Sequence, residues 1–336
     1  MKHIYKCLLI GLGHRAVDDH LPALVPNALG IELVGVCDKD STKKGILKKI
    51  FSEKNITPPN FYTDLIKACR EIKPDFAIIA TPHNTHLQIV KTLLDFKIPF
   101  LKEKPFTRSL KEAYLLKKMV DESKGYMRLC VQRRCHPLYV YGKKALANLG
   151  NIRHFEAHYQ LHLDKPCDGW RSAIGQAGGG CIIDMGYHYF DLLYWYFGRP
   201  DNIFSVVAPK NSGGRSYPIE ETALVSLKYG NGVAGNLFIS RCEPRKFEEL
   251  LVYGKYGYIQ LQRDFLKRFD VDDQLLESLT RTPAWPSAVS DVLADFIANM
   301  DNFKITKKEC EDGLEIMKII DAIYRSIKEK KSILIK

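Results

Sequence analysis

Lys6-Cys7-Leu8-Leu9-Ile10-Gly11-Leu12-Gly13-His14-Arg15-Ala16 is the stretch on which the fold turns. A short apolar run ending in Gly-x-Gly-x-x-Ala reads as a buried strand, a tight turn and the start of a helix. The first glycine permits the turn, the second lets the backbone approach a pyrophosphate, and the small third position lets the helix pack closely. Helix N-terminal amides then face an anion, with the helix dipole behind them. Gly11, Leu12, Gly13, His14, Arg15 and Ala16 are therefore candidate dinucleotide ligands. The motif alone is weak, but a second apolar run, 33–37, ends at Asp38, at the spacing where a carboxylate accepts from a ribose diol. That acid favours NAD over NADP, although Lys39, Lys43 and Lys44 beside it could accommodate a 2′-phosphate.

Outward from this stretch, residues 6–10, 33–37, 76–80 and 99–101 are short apolar runs alternating with helix-like segments 42–52, 64–72, 85–95 and 110–123. Such alternation predicts a parallel, doubly wound sheet, the Rossmann arrangement. Beyond about residue 125 the pattern changes. One more strand is expected over 127–132 and a helix over 138–149, after which strands dominate: 152–162, 203–207, 223–229, 232–240, 250–253 and 258–261. Tyr229-Gly230-Asn231-Gly232-Val233 is a hairpin signal, because Gly and Asn supply positive φ cheaply. One helix, 181–197, interrupts this antiparallel sheet, and two more, 288–302 and 307–328, close the chain.

The 336 residues exceed the length of a typical single domain, so two domains are expected. Nine scattered cysteines with no Cys-x-x-Cys spacing argue against a disulfide framework and for a reducing compartment. Cys130, Cys135 and His136 lie close together but lack the paired spacing of a zinc site, so no metal is expected. The first apolar run is too short for a secretory segment, and no run is long enough to span a membrane, so a soluble cytoplasmic protein is expected. Net charge is +11. A lysine-rich solvated surface explains it most simply; an anionic, phosphate-bearing or nucleotide-linked ligand is the sharper alternative. No basic run interleaves with aromatics, which argues against nucleic acid.

Five further stretches carry a family resemblance. Lys102-Glu103-Lys104-Pro105 resembles the Glu-Lys-Pro signature of the Gfo/Idh/MocA oxidoreductases, the glucose-fructose oxidoreductase and inositol dehydrogenase family. Ala80-Thr81-Pro82-His83-Asn84-Thr85-His86 resembles that family's loop after the fourth strand, and residues 178–191, from Gly178-Gly179-Gly180 to Asp184, His188 and Asp191, resemble its Asp-x-Gly-x-His-x-x-Asp segment. Asp312-Gly313-Leu314 and Ile323-Tyr324-Arg325-Ser326 look like its last helix. The resemblance implies an α/β chain: an N-terminal Rossmann domain, then a C-terminal α/β domain with an open, mostly antiparallel sheet. The expected division is 1–125 for the dinucleotide domain, 126–305 for substrate binding and oligomerisation, and 306–336 for a helix packing back on the first domain. It also implies a homodimer or homotetramer joined through the second sheet.

Oxidising an alcohol by hydride transfer needs a base for the hydroxyl proton, a donor for the developing oxyanion, and a carbon held against the nicotinamide. Asp184 and His188, four residues apart in an expected helix, would share one face. By resemblance His188 is the general acid/base, Asp184 its partner and Lys104 the donor to the reacting oxygen, while Glu103 lies near the nicotinamide ribose. Thr81, Pro82, His86 and Gln132 are candidate coenzyme contacts. Arg133, Trp170 and Arg171, with Lys104, Asp184 and His188, are candidate substrate contacts; at most one of the adjacent Arg133 and Arg134 can face the substrate. Asp191 and most of Tyr187, Tyr189, Tyr194, Trp195 and Tyr196 are read as structural. The function implied is an NAD(P)-dependent dehydrogenase or reductase acting on a secondary hydroxyl or keto carbon of a sugar, cyclitol or nucleotide sugar. Two alternatives stand beside it: a glycosidase on the same scaffold using transient oxidation, and a non-catalytic NAD-sensing protein.

Overall fold

The computed structural model describes residues 3–25, 29–163, 169–208, 219–281 and 287–335; Cys167 lies outside them. The chain forms two compact units, one from Met1–Lys104, Tyr114–Cys130 and Pro286–Cys310, the other from Pro105–Ala113, Val131–Trp285 and Glu311–Lys336. Among the described residues no helix is long and apolar enough to cross a membrane.

The first unit holds a six-stranded parallel sheet: β1 (Tyr5–Ile10), β2 (Ile31–Cys37), β3 (Asn60–Tyr62), β4 (Phe76–Ile79), β5 (Phe100–Glu103) and β6 (Met127–Cys130). The order is β3-β2-β1-β4-β5-β6, the Rossmann order. Its middle strands are apolar along their length because both faces are covered; Cys7, Leu8 and Leu9 on β1 and all of β4 are fully inaccessible. Helices α1 (Leu21–Leu24), α2 (Lys43–Ser52), α3 (Leu65–Ile72), α4 (His86–Asp95) and α5 (Leu110–Ser123) alternate with the strands. Asp64 caps α3, accepting from the Lys67 amide at 2.9 Å. Strand β3 was not expected: three half-polar residues carry no periodicity.

β6 is an edge strand, and side chains cover its backbone. Thr306 Oγ1 accepts from the Met127 amide and donates to the Met127 carbonyl, both at 3.1 Å. Glu309 accepts from the Leu129 amide and from Arg128 Nε, each at 2.6 Å. The exposed ladder that would invite another strand is thereby occupied.

The second unit holds a nine-stranded sheet: β7 (Ile152–His162), β8 (Asn202–Val207), β9 (Thr222–Lys228), β10 (Ala234–Ser240), β11 (Cys242–Gly254), β12 (Gly257–Leu261), β13 (Phe265–Phe269), β14 (Leu275–Thr280) and β15 (Ile333–Leu334). The order is β14-β13-β12-β11-β7-β10-β9-β8-β15, antiparallel except for β7 with β10. The β9–β10 turn closes with Gly232 at φ +90°. Strand β11 is far longer than the expected 250–253, because Cys242 and Phe247–Glu249 also pair with β7, on either side of an irregularity over 243–246. Helices α6 (Pro137–Ala145), α7 (Ile174–Ala177), α8 (Cys181–Asp184) and α9 (Tyr187–Phe197) precede the main run of strands; α10 (Ser287–Ala298), part of the first unit, and α11 (Phe303–Glu329) follow it in the chain.

The centre of this sheet is set by one aromatic. Phe155 on β7 is fully buried and stacks on Phe197, ring centroids 5.0 Å apart. Its partner across the ladder is Gly235, where a Cβ would lie 2.5 Å from the Phe155 ring. Gly235→Ala should therefore overpack the core and cost about 1–3 kcal/mol, read by urea unfolding. Phe155→Leu in the same chain should recover part of the loss. Unchanged stability of the single variant would show that the ring yields freely.

Candidate functional site

The site residues fall in the two units, and each group is built separately. In the first unit, Gly11 sits at φ +94°, and a Cβ there would lie 2.6 Å from the Ala80 carbonyl oxygen. Only glycine lets the end of β1 run this close to the end of β4. Gly13 has a different reason: a Cβ there would meet nothing within 4 Å, so this glycine leaves open ground above the turn. Ala16 is fully buried. The helix that follows begins with a wide π turn, Ala16–His20, closed by the Leu21 amide donating to the Ala16 carbonyl. The Val17 amide donates back to the Gly13 carbonyl at 3.0 Å, and the amides ahead of it have no acceptor within the helix by construction. Open ground, unpaired helix amides and an acid at the end of β2 together fit a dinucleotide.

Asp38 is that acid. Its Oδ2 accepts from the Leu12 amide at 2.7 Å and from Lys43 Nζ at 2.8 Å, while Oδ1 accepts from the Asp40 amide at 3.0 Å. A carboxylate offers about four acceptor positions. The loop uses most of them, and Lys43 already neutralises the charge. At the end of β4, His86 Nε2 donates to the Thr81 carbonyl at 2.9 Å. Burial, with Lys102 and His83 nearby, holds the His86 imidazole well below its ordinary range, so it is neutral at pH 7.

Glu103, last residue of β5, is buried. Arg15 Nε donates to its Oε1 at 2.7 Å and His20 Nε2 to the same oxygen at 2.9 Å. Burial alone would raise this carboxyl, but Arg15 and His20 outweigh it and hold it well below the carboxylate range. Cys130 completes a group whose ligand atoms lie within 4.8 Å of one another. Arg15 already supplies this group's cation, and burial pushes the Cys130 thiol up, away from the thiolate a metal would need. Lys104 follows, half-buried. Lys102 is fully buried, with Nζ donating to the Glu103 carbonyl at 2.8 Å. The reason is register: β5 runs on to Glu103, so Lys102 lies between Ile79 and Leu129 in the middle of the sheet.

In the second unit, the helix expected over 181–197 is two helices. The Gly186 amide reaches back to the Cys181 carbonyl at 2.7 Å, and the His188 amide to the Met185 carbonyl at 3.2 Å. A Cβ on Gly186 would strike the Ile239 side chain at 2.7 Å, so the chain steps where it crosses β10. Asp184 therefore closes α8, and His188 stands in the first turn of α9. Asp184 is buried, and Arg171 Nε donates to its Oδ2 at 3.1 Å. The Arg171 guanidinium lies 4.5 Å from the centroid of the Trp170 ring. His188 meets the Tyr159 ring edge-on, centroids 6.3 Å apart.

Arg133 and Arg134 diverge, as adjacent residues must. Arg133 is buried, with Nε 3.0 Å from Glu248 Oε1 and its guanidinium 5.1 to 5.7 Å from the rings of Tyr139, Tyr159 and Tyr189. Arg134 pairs with Asp191 at 2.8 Å and Asp312 at 2.7 Å. Gln132 is buried, and its Oε1 has no hydrogen-bond partner.

Four residues with direct roles in this architecture escape a reading of the sequence: His20, Lys102, Glu220 and Glu248. For Glu248 there was a signal, a pair of acids, 248–249, leading into the apolar run 250–252. For His20 there was none, because the π turn that swings it inward leaves no mark on spacing.

With this geometry in place, comparison with known proteins supplies the class. Residues 5–129 match the oxidoreductase family with an NAD-binding Rossmann fold, and residues 143–260 match the GFO/IDH/MocA C-terminal domain. The chain belongs to the Gfo/Idh/MocA oxidoreductase family and is an NAD-binding enzyme of that family. It is 25% identical over 246 residues to an uncharacterized oxidoreductase, C115.03, of Schizosaccharomyces pombe, covering 70% of this chain and 64% of that one. It is 27% identical over 251 residues to scyllo-inositol 2-dehydrogenase (NAD(+)) of Bacillus subtilis, covering 73% and 69%. Levoglucosan dehydrogenase, solved with NADH and levoglucosan, has the same fold, with TM-score 0.82 at 17% identity over 98% of this chain and 99% of that one.

The Glu103 cluster makes a prediction about acid stability. Replacing one member of a buried, charge-assisted group costs about 3–5 kcal/mol, so Glu103→Gln should lose that much at pH 7. The carboxyl is held below its unfolded value of about 4.3, so the parent's advantage is complete above that value and fades as pH falls towards the lowered one. Urea unfolding of both proteins from pH 7 to pH 3 should show the two curves converging at the acid end. A constant difference across that range would mean that folding does not lower the Glu103 carboxyl.

Proposed function

We propose that this enzyme oxidises a secondary hydroxyl of a sugar, cyclitol or nucleotide sugar, or reduces the corresponding ketone. The observation that carries the reading is Asp184, a buried acid held by Arg171, just before a half-buried histidine at the start of α9. His188 takes the hydroxyl proton, and Asp184 with Arg171 sets the charge around it. Lys104 donates to the substrate oxygen as negative charge develops there. NAD, when bound, accepts the hydride. Gly11, Gly13 and the amides of the following turn hold the coenzyme's phosphates, and Asp38 its adenosine ribose. Support for a polyol comes from relatives whose names specify scyllo-inositol and levoglucosan.

The test is an NADH-formation screen over scyllo-inositol, levoglucosan, free sugars, sugar phosphates and nucleotide sugars. Lys104→Ala and His188→Ala should each reduce turnover on the best substrate by roughly 10²–10⁴. Parent-like rates in both variants would end the assignment; hydrolysis without net NADH would move it to the glycosidase chemistry.

We further propose NAD as the working coenzyme, with NADP tolerated through Lys43. Lys43→Ala should weaken NADP⁺ binding about tenfold while leaving NAD⁺ within about threefold, by fluorescence titration, as expected for one lost cation–phosphate contact. An equal effect on both coenzymes would remove Lys43 from that role.

A homo-oligomer through the second sheet is proposed as well. Val206, Leu224 and Phe238 lie in register on one face of β8, β9 and β10, and Phe204, Val206 and Leu224 are each more than 40% exposed. An apolar row of this kind on a sheet suits a second copy of the chain.

A further inference from the structure

The three consecutive glycines of the second unit are each required by a different neighbour. A Cβ on Gly178, at φ +86°, would lie 2.6 Å from the Arg108 carbonyl oxygen. One on Gly179 would overlap the Tyr324 hydroxyl, and one on Gly180 the Glu220 carbonyl. The turn is therefore pressed from three sides. Two of those neighbours, Glu220 and Tyr324, also bind each other.

Glu220 is buried, and its Oε1 accepts three hydrogen bonds: from the Gly180 amide at 2.9 Å, the Ile182 amide at 3.0 Å and the Tyr324 hydroxyl at 2.9 Å. Its own carbonyl accepts from the Cys181 amide at 2.9 Å. One residue thus takes up three successive amides at the start of α8, the groups a helix cannot satisfy internally. Helix α8 is a single turn, too short to stand by itself, and Asp184 is its last residue. The place of Asp184 is set by what holds the other end of that turn. Tyr324, from α11, braces the carboxylate from behind; burial and Glu220 push its hydroxyl well above the phenol range, so it stays protonated and donates.

We propose that Glu220 and Tyr324 are positioning residues: a carboxylate–phenol clamp that fixes the Gly178–Gly180 turn and, through α8, sets Asp184 against Arg171. The clamp touches neither substrate nor coenzyme. This role rests on the reading of Asp184 and His188 as the proton-transfer pair. Glu220→Gln replaces a charged acceptor by a neutral one of the same size. Tyr324→Phe deletes the brace alone.

Both variants should be compared with the parent in the NAD-bound state by hydrogen exchange, by coenzyme titration, and by kinetics on the polyol oxidised fastest in the screen above. Amides of residues 180–186 should exchange at least tenfold faster in each variant, while peptides of β1 and β4 keep the parent rate. kcat should fall at least tenfold with KM within threefold, and NAD⁺ affinity should stay within twofold. A merely structural cap would lower thermal stability and the folded fraction but leave kcat per coenzyme-binding site unchanged, and that result would overturn the proposal. So would parent-like exchange over 180–186. If Asp184→Asn turns over at the parent rate, the catalytic reading itself fails. Faster exchange in the clamp variants would then mark Glu220 and Tyr324 as structural only.

Discussion

One carboxylate, Glu103, draws together the parts of the coenzyme-binding unit that the sequence keeps apart. It ends β5, and through Arg15 and His20 it grips the helix that follows the glycine turn at the end of β1. A buried charge is tolerated only when paired and hydrogen-bonded, and both donors reach the same oxygen. The helix cannot rotate or slide without leaving that charge unpaired. The π turn at Ala16–His20 fits this constraint, because the extra residue in the turn is what lets both Arg15 and His20 face β5. The glycine turn is thus anchored to the strand that leads into Lys104.

Much of this fold was legible in the sequence, for reasons that can be named. The parallel sheet was visible because its central strands are buried on both faces and read as unbroken apolar runs. The strand at β7 was visible because it alternates, and the β9–β10 hairpin because its turn needs Gly232. What escaped was structure decided by partners distant in sequence. β13 and β14 mix charged and apolar residues, and only their pairing makes them strands. The break between α8 and α9 follows from the approach of Gly186 to β10. The burial of Lys102 is of the same kind: it follows from its neighbours in the sheet, Ile79 and Leu129. The candidate site divides likewise. Its motifs stood out by residue type, while the groups that hold them, Glu220, Glu248 and His20, are ordinary residues made important by position.

The two units handle buried charge in one way. Arg133 is matched by Glu248, Arg134 by Asp191 and Asp312, Arg128 by Glu309 and Asp295, and Arg15 by Glu103 and Asp19. Each of these four arginines has at least one acid beside it, so these groups contribute little to the net charge of +11. The excess is carried by exposed lysines, whose isolated pairs are worth at most about 1 kcal/mol each. The positive balance is therefore a property of the surface and says little about the substrate.

Lys43 is the informative exception, because its partner is the acid proposed to hold the coenzyme's ribose. Asp38 gives one oxygen to both the Leu12 amide and Lys43. An acid without that lysine would repel a 2′-phosphate and accept a diol with two free oxygens. With it, the carboxylate is neutralised before any coenzyme arrives, and the ammonium is free to swing by rotation of its own stem. A diol must then share an oxygen that is already used, and a phosphate finds a cation already in place. The proposed coenzyme role then carries a flatter preference than an acid at the end of β2 alone implies, set by the fifth residue beyond the acid rather than by the acid.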